Sequence, residues 1–498
     1  MKHAIFALLA TLAAVGPALA APPKVKIETG VVAGTTEDGV NAFRNIPFAA
    51  APEGALRWRP PAKAKAWKGE RDGAKAGPSC PQPMNANGAP NSGGANGPIS
   101  EDCLQLNVFA PAGAKKAPVM VWVHGGAHRT GAGWVYDGSH FARDGVVLVA
   151  INYRLGALGY FAHPALTKAA KPGEPVANYG LMDQIAALEW VKRNIAKFGG
   201  DPSNVTLFGE SAGGMSTLAI LATPKATGLY HKAVVESGLG WFQPKTLASA
   251  ETQGANLITT LGITDADAAK LRAIPVADLV KLSMDYGPIP DGVLLTETAS
   301  QAFAAGRAND VPLMIGSNSG EDSLMGPWKP EMAARIPAMA KQFYPEEAAK
   351  GDEALARAIF TDTVMGGPAR WIAGLASSGK PSWLYYFSYV GSRFRPAVTT
   401  SAHASEIQYV FDYWGRRTPL SAVAEDDKAM AALMHSCWVA FAKTSAPTCA
   451  SGPAWPAYTP ATDQLMEFGA DSSVRTHFRK TRLDVIQAVT LPSLKLGK

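Results

Sequence analysis

Residues 205–216, VTLFGESAGGMS, constrain the fold more than any other stretch of this chain. Residues 205–208 are strand formers, and the run from Ala212 reads as the start of a helix. Between them Gly209 and Gly213 bracket Ser211. In a G-x-S-x-G turn the serine follows a strand and opens a helix. That placement holds it in a sharp, strained bend with its oxygen raised above a sheet edge. Both parts of that context are present, so the chain is expected to build a sheet with a nucleophile at one strand end.

The sequence around this turn alternates. LNVFA, VMVWVHGG, VVLVAINYR, AVVESG, VPLMIGSN and SWLYYFSYV read as strands. LMDQIAALEWVKRNIAKF reads as a helix with Leu181, Ile185, Leu188 and Ile195 on one face. Strands alternating with helices predict an α/β fold, a mostly parallel central sheet covered on both faces. The alanine-rich stretches 245–310 and 325–375 are expected to be helical insertions that roof the sheet. Residues 83–99, PMNANGAPNSGGANGPI, carry too much glycine, asparagine and proline for regular structure and are read as a surface loop.

The first twenty residues have a basic start, a short apolar run broken by Pro17, and small residues at Ala18 and Ala20. That is the pattern of a cleavable secretory signal, with a single domain over 21–498 and a secreted or periplasmic location expected. No later segment has the apolar length of a membrane span. Cys80, Cys103, Cys437 and Cys449 fit two disulfides in an exported chain, with three pairings open. The formal charge of +6 is mild and dispersed, which argues against a nucleic-acid partner. No C-x-x-C spacing suggests zinc, and no metal or organic cofactor is expected.

A serine hydroxyl needs a base to become a nucleophile. Hydrolases with this turn use the chain order serine, acid, histidine. His403, in TSAHASEIQYVF, satisfies it. The acid is expected after a strand end, and VPLMIGSNSGEDS offers both Glu321 and Asp322. Acyl transfer places negative charge on the former carbonyl oxygen, so preaimed amides are required. VWVHGGAH supplies Gly125, Gly126 and Ala127 at a strand end, and Ala212 follows the serine.

Several long segments resemble the type-B carboxylesterase family, which includes the cholinesterases and bacterial para-nitrobenzyl esterases. They are FRNIPFAAAPEGALRWRPP, SEDCLQLNVFAP, NYGLMDQIAALEWVKRNIAKFGGDPSNVTLFGESAGG, FAAGRANDVPLMIGSNSGED and AHASEIQYVF. The resemblance implies an α/β-hydrolase fold and a triad of Ser211, Glu321 and His403. It also implies oxyanion donors at Gly126, Ala127 and Ala212 beside Gly125, and a Cys80–Cys103 disulfide. Ion pairs Arg57–Glu101 and Arg154–Asp183 are implied as fold elements. Glu210 is implied as a carboxylate near the pocket that acts electrostatically on His403. The Cys437–Cys449 bond is a separate expectation.

The chain departs from the family in two places. Residues 81–102 contain no aromatic residue, which argues against a choline ester. His128 stands where relatives carry phenylalanine, so a polar ring is expected beside the acyl site. Trp134, Trp241, Phe242, Trp371, Phe394 and Trp414 are candidate pocket aromatics, although large aromatics more often pack in a core. The expected activity is serine carboxylesterase chemistry on a small-molecule ester through an acyl-enzyme. An amidase or peptidase with the same triad is a second reading, and a non-catalytic binding protein of this fold a third. The sequence leaves the oligomeric state open.

Overall fold

The computed structural model describes residues 21–241, 245–415 and 418–496. The expected signal segment and Phe242 lie outside the described residues. The central sheet has eleven strands. In chain order they are β1 (Thr35–Glu37), β2 (Val40–Pro47), β3 (Gln105–Pro111), β4 (Ala117–Val123), β5 (Val147–Ile151), β6 (Gly200–Glu210), β7 (Lys232–Glu236), β8 (Leu313–Asn318), β9 (Ser382–Phe387), β10 (Gln464–Phe468) and β11 (Ser473–Thr476). Their spatial order is β11-β10-β9-β8-β7-β6-β4-β5-β3-β2-β1. The pairings from β5 through β4, β6, β7, β8 and β9 to β10 are parallel, and the two flanks are antiparallel. This is the mostly parallel α/β sheet expected from the alternation, in the α/β-hydrolase arrangement that the resemblance implies.

Each apolar run read from the sequence became a strand of the central sheet; all but LNVFA, which is the antiparallel β3, lie in the parallel region. Strands β5, β7, β8 and β9 are buried along their whole length. Continuous burial is what helices on both faces impose, and it is why these strands read as unbroken apolar runs rather than alternating ones. Three helices cover the faces nearest the site: α1 (Tyr179–Asn194), α2 (Ala212–Leu221) and α3 (Glu425–Thr444). Leu181, Leu188 and Ile195 are fully buried, as the helical periodicity predicts. Residues 245–310 and 325–375 are short helices, again as expected. The sequence did not reveal the small three-stranded sheet of Lys24–Ile27, Gly30–Ala33 and Glu70–Asp72. Its strands have three or four residues and charged positions, too little apolar pattern to stand out.

Both disulfides form, Cys80–Cys103 and Cys437–Cys449, with Cα–Cα separations of 5.0 and 4.2 Å. The two expected ion pairs are present. Arg57 meets Glu101 at 2.6 Å, and Arg154 meets the buried Asp183 at 2.7 Å.

The turn at Ser211 joins β6 to α2. Parallel register sets Val123 of β4 against Gly209, and Glu210 against Glu236 of β7. The bracketing glycines are required by contact. A Cβ on Gly213 would lie 1.9 Å from the carbonyl oxygen of Val123, and one on Gly209 would lie 2.6 Å from the same oxygen. The start of α2 therefore rests directly on the end of β4. Gly213→Ala is expected to lower stability by about 1–3 kcal/mol, the usual range for overpacking a tight contact. Urea unfolding of the variant checks this, and an unchanged midpoint would mean the contact is not tight.

Candidate active site

The carboxyl ends of parallel strands are where open α/β sheets bind ligands. Here β4, β6, β7 and β8 deliver residues 124–131, Ser211, Ser237 and Glu321 to one edge. Ser211 has φ 55° and ψ −120°, a strained conformation for a residue with a side chain. Its amide donates to the Glu236 carbonyl at 2.8 Å, and its own carbonyl accepts from Met215 at 2.8 Å, so the strained residue is held on both sides.

Glu321 follows β8. A bridge between Gly320 and Ala402 brings the next residue, His403, beside it. His403 Nδ1 lies 2.6 Å from Glu321 Oε2. The other oxygen, Oε1, accepts from the Ser237 hydroxyl at 2.6 Å and from the Asn318 amide at 2.8 Å. The sequence alone left Glu321 and Asp322 both open. The structure brings Glu321 to the histidine and turns Asp322 away to an ion pair with Arg357 at 3.3 Å.

Glu210 follows the last glycine of β6 and is buried. Its Oε1 lies 3.0 Å from His403 Nε2, an ion-pair contact when the ring is protonated. Burial by itself would press the His403 imidazole down. The carboxylates of Glu210 and Glu321 outweigh it and hold the ring well above the usual histidine range.

The turn after β4 is built for close approach. A Cβ on Gly125 would lie 2.5 Å from Glu210 Oε2 and 3.1 Å from Ser211 Cβ. Gly126 has φ 103° and Ala127 φ 54°. The amides of Gly126, Ala127 and Ala212 donate no hydrogen bond among the described residues. The turn itself is clamped. The Tyr153 hydroxyl donates to the His124 carbonyl at 2.7 Å, and Gln82 exchanges two 2.8 Å hydrogen bonds with the backbone of Gly131. Asn91 donates to Gln82 Oε1 at 2.8 Å, which ties the glycine-rich loop to the same turn.

These groups open onto a cavity of about 610 Å³. Ser211, His403, Glu210, Gly125, Gly126 and Ala127 line it. Met84, Asn85, Asn91 and Ser92 of the glycine-rich loop also line it, as do Tyr136, Ile407, Phe411 and Tyr413. Six pocket expectations change. His128 does not line the cavity. It is fully buried beneath the turn, with Nε2 3.0 Å from the Ser216 hydroxyl and its ring 4.6 Å from that of Tyr160. Burial pushes it down to about 4, so it is a neutral packing residue. Trp241 also lies away from the cavity, because its indole donates to the Thr363 carbonyl at 2.7 Å and packs on Trp371. Trp134, Trp371, Phe394 and Trp414 are likewise absent from the wall. The sequence missed Ser237, Gln82 and the loop wall. Only Ser237 left a signal, a hydroxyl directly after a strand on the nucleophile's side. Among the described residues no cluster suited to a metal ion is found.

A strained serine on the β6–α2 turn, a histidine braced by a buried glutamate, and unpaired amides on one cavity define a serine hydrolase of the α/β-hydrolase fold. The profile of the Carboxylesterase family matches residues 21–335 and 329–486. The para-nitrobenzyl esterase of Bacillus subtilis (strain 168) is 34% identical over 483 residues, covering 90% of this chain and 95% of that one. The fumonisin B1 esterase of Sphingopyxis macrogoltabida is 35% identical over 482 residues, covering 89% and 86%. A solved PNB esterase structure superposes with a TM-score of 0.80 at 33% identity, covering 92% of this chain and 99% of the other. The chain belongs to the carboxylesterase family and is a carboxylic ester hydrolase with a Ser-Glu-His triad.

Removing the charge of Glu210 withdraws support from the imidazolium. The acid limb of kcat/KM in the wild type is expected above the ordinary histidine value of 6.5. In Glu210→Gln it moves to lower pH. A pH–rate series on both proteins checks the direction, and an upward or absent shift would contradict it.

Proposed function

We propose that the protein is an exported carboxylesterase that hydrolyses its ester in two steps through an acyl-enzyme on Ser211. The observation that carries this reading is the Glu321–His403 pair at 2.6 Å on the same cavity as Ser211. His403 takes the serine proton as the oxygen attacks the ester carbonyl. Glu321 holds the ring so that Nδ1 donates to it and Nε2 is left for proton transfer, and its charge stabilises the imidazolium. The free amides of Gly126, Ala127 and Ala212 receive the oxyanion. Losing one such donor costs about 3 kcal/mol of transition-state stabilisation. His403 then protonates the leaving alcohol, and water repeats the sequence to release the acid.

A lining that mixes Asn85, Asn91 and Ser92 with Tyr136, Phe411 and Tyr413 supports an ester that carries both polar and apolar groups. The relatives are named for para-nitrobenzyl esters, fumonisin B1 and acylcarnitine, which supports the ester class rather than one member of it. Two disulfides and the signal-like residues 1–20 support the periplasm or the exterior as its place of work.

Ser211→Ala is expected to retain the fold and lose hydrolysis of short-chain aryl esters by at least about three orders of magnitude. Mass spectrometry after treatment with an organophosphonate should find the adduct on Ser211. Labelling elsewhere, or turnover by the alanine variant near that of the wild type, would end this assignment.

A further inference from the structure

Four carboxyl groups gather at the cavity, Glu210 on its wall and Glu236, Glu321 and Glu406 outside its lining. Glu210 and Glu236 sit side by side in register on β6 and β7. Glu321 follows β8, and Glu406 lies one turn of chain beyond His403. All four are buried. Among the described residues, their hydrogen-bond and ion-pair partners include a single cation, His403.

The four are not equally supplied with partners, and Glu210 has the ion pair with His403 Nε2 at 3.0 Å. Glu321 receives three, from Ser237, the Asn318 amide and His403. Glu236 receives one, from the Trp438 indole at 2.8 Å on Oε1, and its Oε2 has no partner. Glu406 receives one, from the Asn318 side-chain amide on Oε2, and its Oε1 has no partner. Among the described residues, Asn318 Oδ1 and the Tyr385 hydroxyl are also buried without a partner. A buried carboxylate without a cation or several donors takes up a proton rather than remain charged. A protonated carboxyl also gains the O–H that a neighbouring unfilled acceptor lacks.

We propose that Glu236 and Glu406 are proton-bearing positioning residues, a neutral carboxyl pair behind the triad that limits the negative charge on His403 to that of Glu321 and Glu210. The proposal rests on the reading of His403 as the base. Two further buried anions in the same cluster would strengthen the hold on the imidazolium, and His403 would surrender its proton only at still higher pH. Neutrality of the pair keeps the ring able to act as a base.

The electrostatics agree. Burial, with the charge of Glu210 adding to it, pushes Glu406 up to about 8. Burial, with Glu406 and Glu210 adding to it, holds Glu236 well above the usual carboxylate range. The ionisable groups facing the pair are Glu210, Glu321, His403 and Tyr385.

The test uses the full chain with Glu236→Gln and Glu406→Gln, neutral isosteres of the protonated acids. The acid limb of kcat/KM is expected to stay at its wild-type position in both, in contrast to the downward shift of Glu210→Gln. Infrared spectroscopy of the wild type near neutral pH should show a protonated-carboxyl stretch that weakens in each variant. The folded protein keeps a proton on Glu406 that the unfolded chain releases between about 4.5 and about 8, so wild-type stability falls as pH rises through that window. In Glu406→Gln the unfolding midpoint should fall less steeply there. Downward limb shifts in both variants, or a wild type without the protonated-carboxyl band, would overturn the proposal. The band is read on the resting wild type, so it decides the pair even if Ser211 labelling refutes the triad assignment or a variant does not fold.

Discussion

The carbonyl oxygen of Val123 at the end of β4 is the surface on which the catalytic turn rests. Gly209 and Gly213 both approach it more closely than any side chain allows. Because the glycines let α2 begin there, Ser211 is forced into a conformation with φ 55° and lifted from the sheet. Such backbone strain typically costs about 1–3 kcal/mol and persists only when the surroundings over-determine it. Here the surroundings are the parallel pairings of β6 with β4 and β7, which fix the turn from both sides.

The same pairings create an electrostatic problem. Parallel register that aligns Glu210 with Glu236 also brings like charges together in a buried place. The structure meets it unevenly. Glu321 is given three donors and a place against the imidazole, whereas Glu236 and Glu406 each have one donor and an unfilled oxygen. A buried charge with partners and a buried acid without them are both stable arrangements, and the histidine takes its contacts from Glu210 and Glu321.

The Cys80–Cys103 loop shows how a segment without secondary structure becomes a cavity wall. The disulfide closes it, and Gln82 and Asn91 bind it to the turn that carries Gly125 and Gly126. Its ordering comes from side-chain amides that satisfy backbone groups, which composition alone does not announce. A stretch of glycine and asparagine reads as a loose loop until its partners are known.

Much of this protein was legible in its sequence. The unbroken apolar runs gave the parallel strands, because burial on both faces leaves no polar alternation. The glycine bracket located Ser211, because only that contact requires two small residues there. Chain order located His403, and the resemblance selected Glu321 over Asp322. Tertiary structure decided what depends on the direction of side chains. His128 and Trp241 were expected at the pocket and lie outside it, because each finds a buried hydrogen-bond partner elsewhere, Ser216 and the Thr363 carbonyl. The meeting of Glu210, Glu236, Glu321 and Glu406 could not be read from residues spread over nearly two hundred positions. It exists only because adjacent strands in register bring their carboxyl ends to one edge of the sheet.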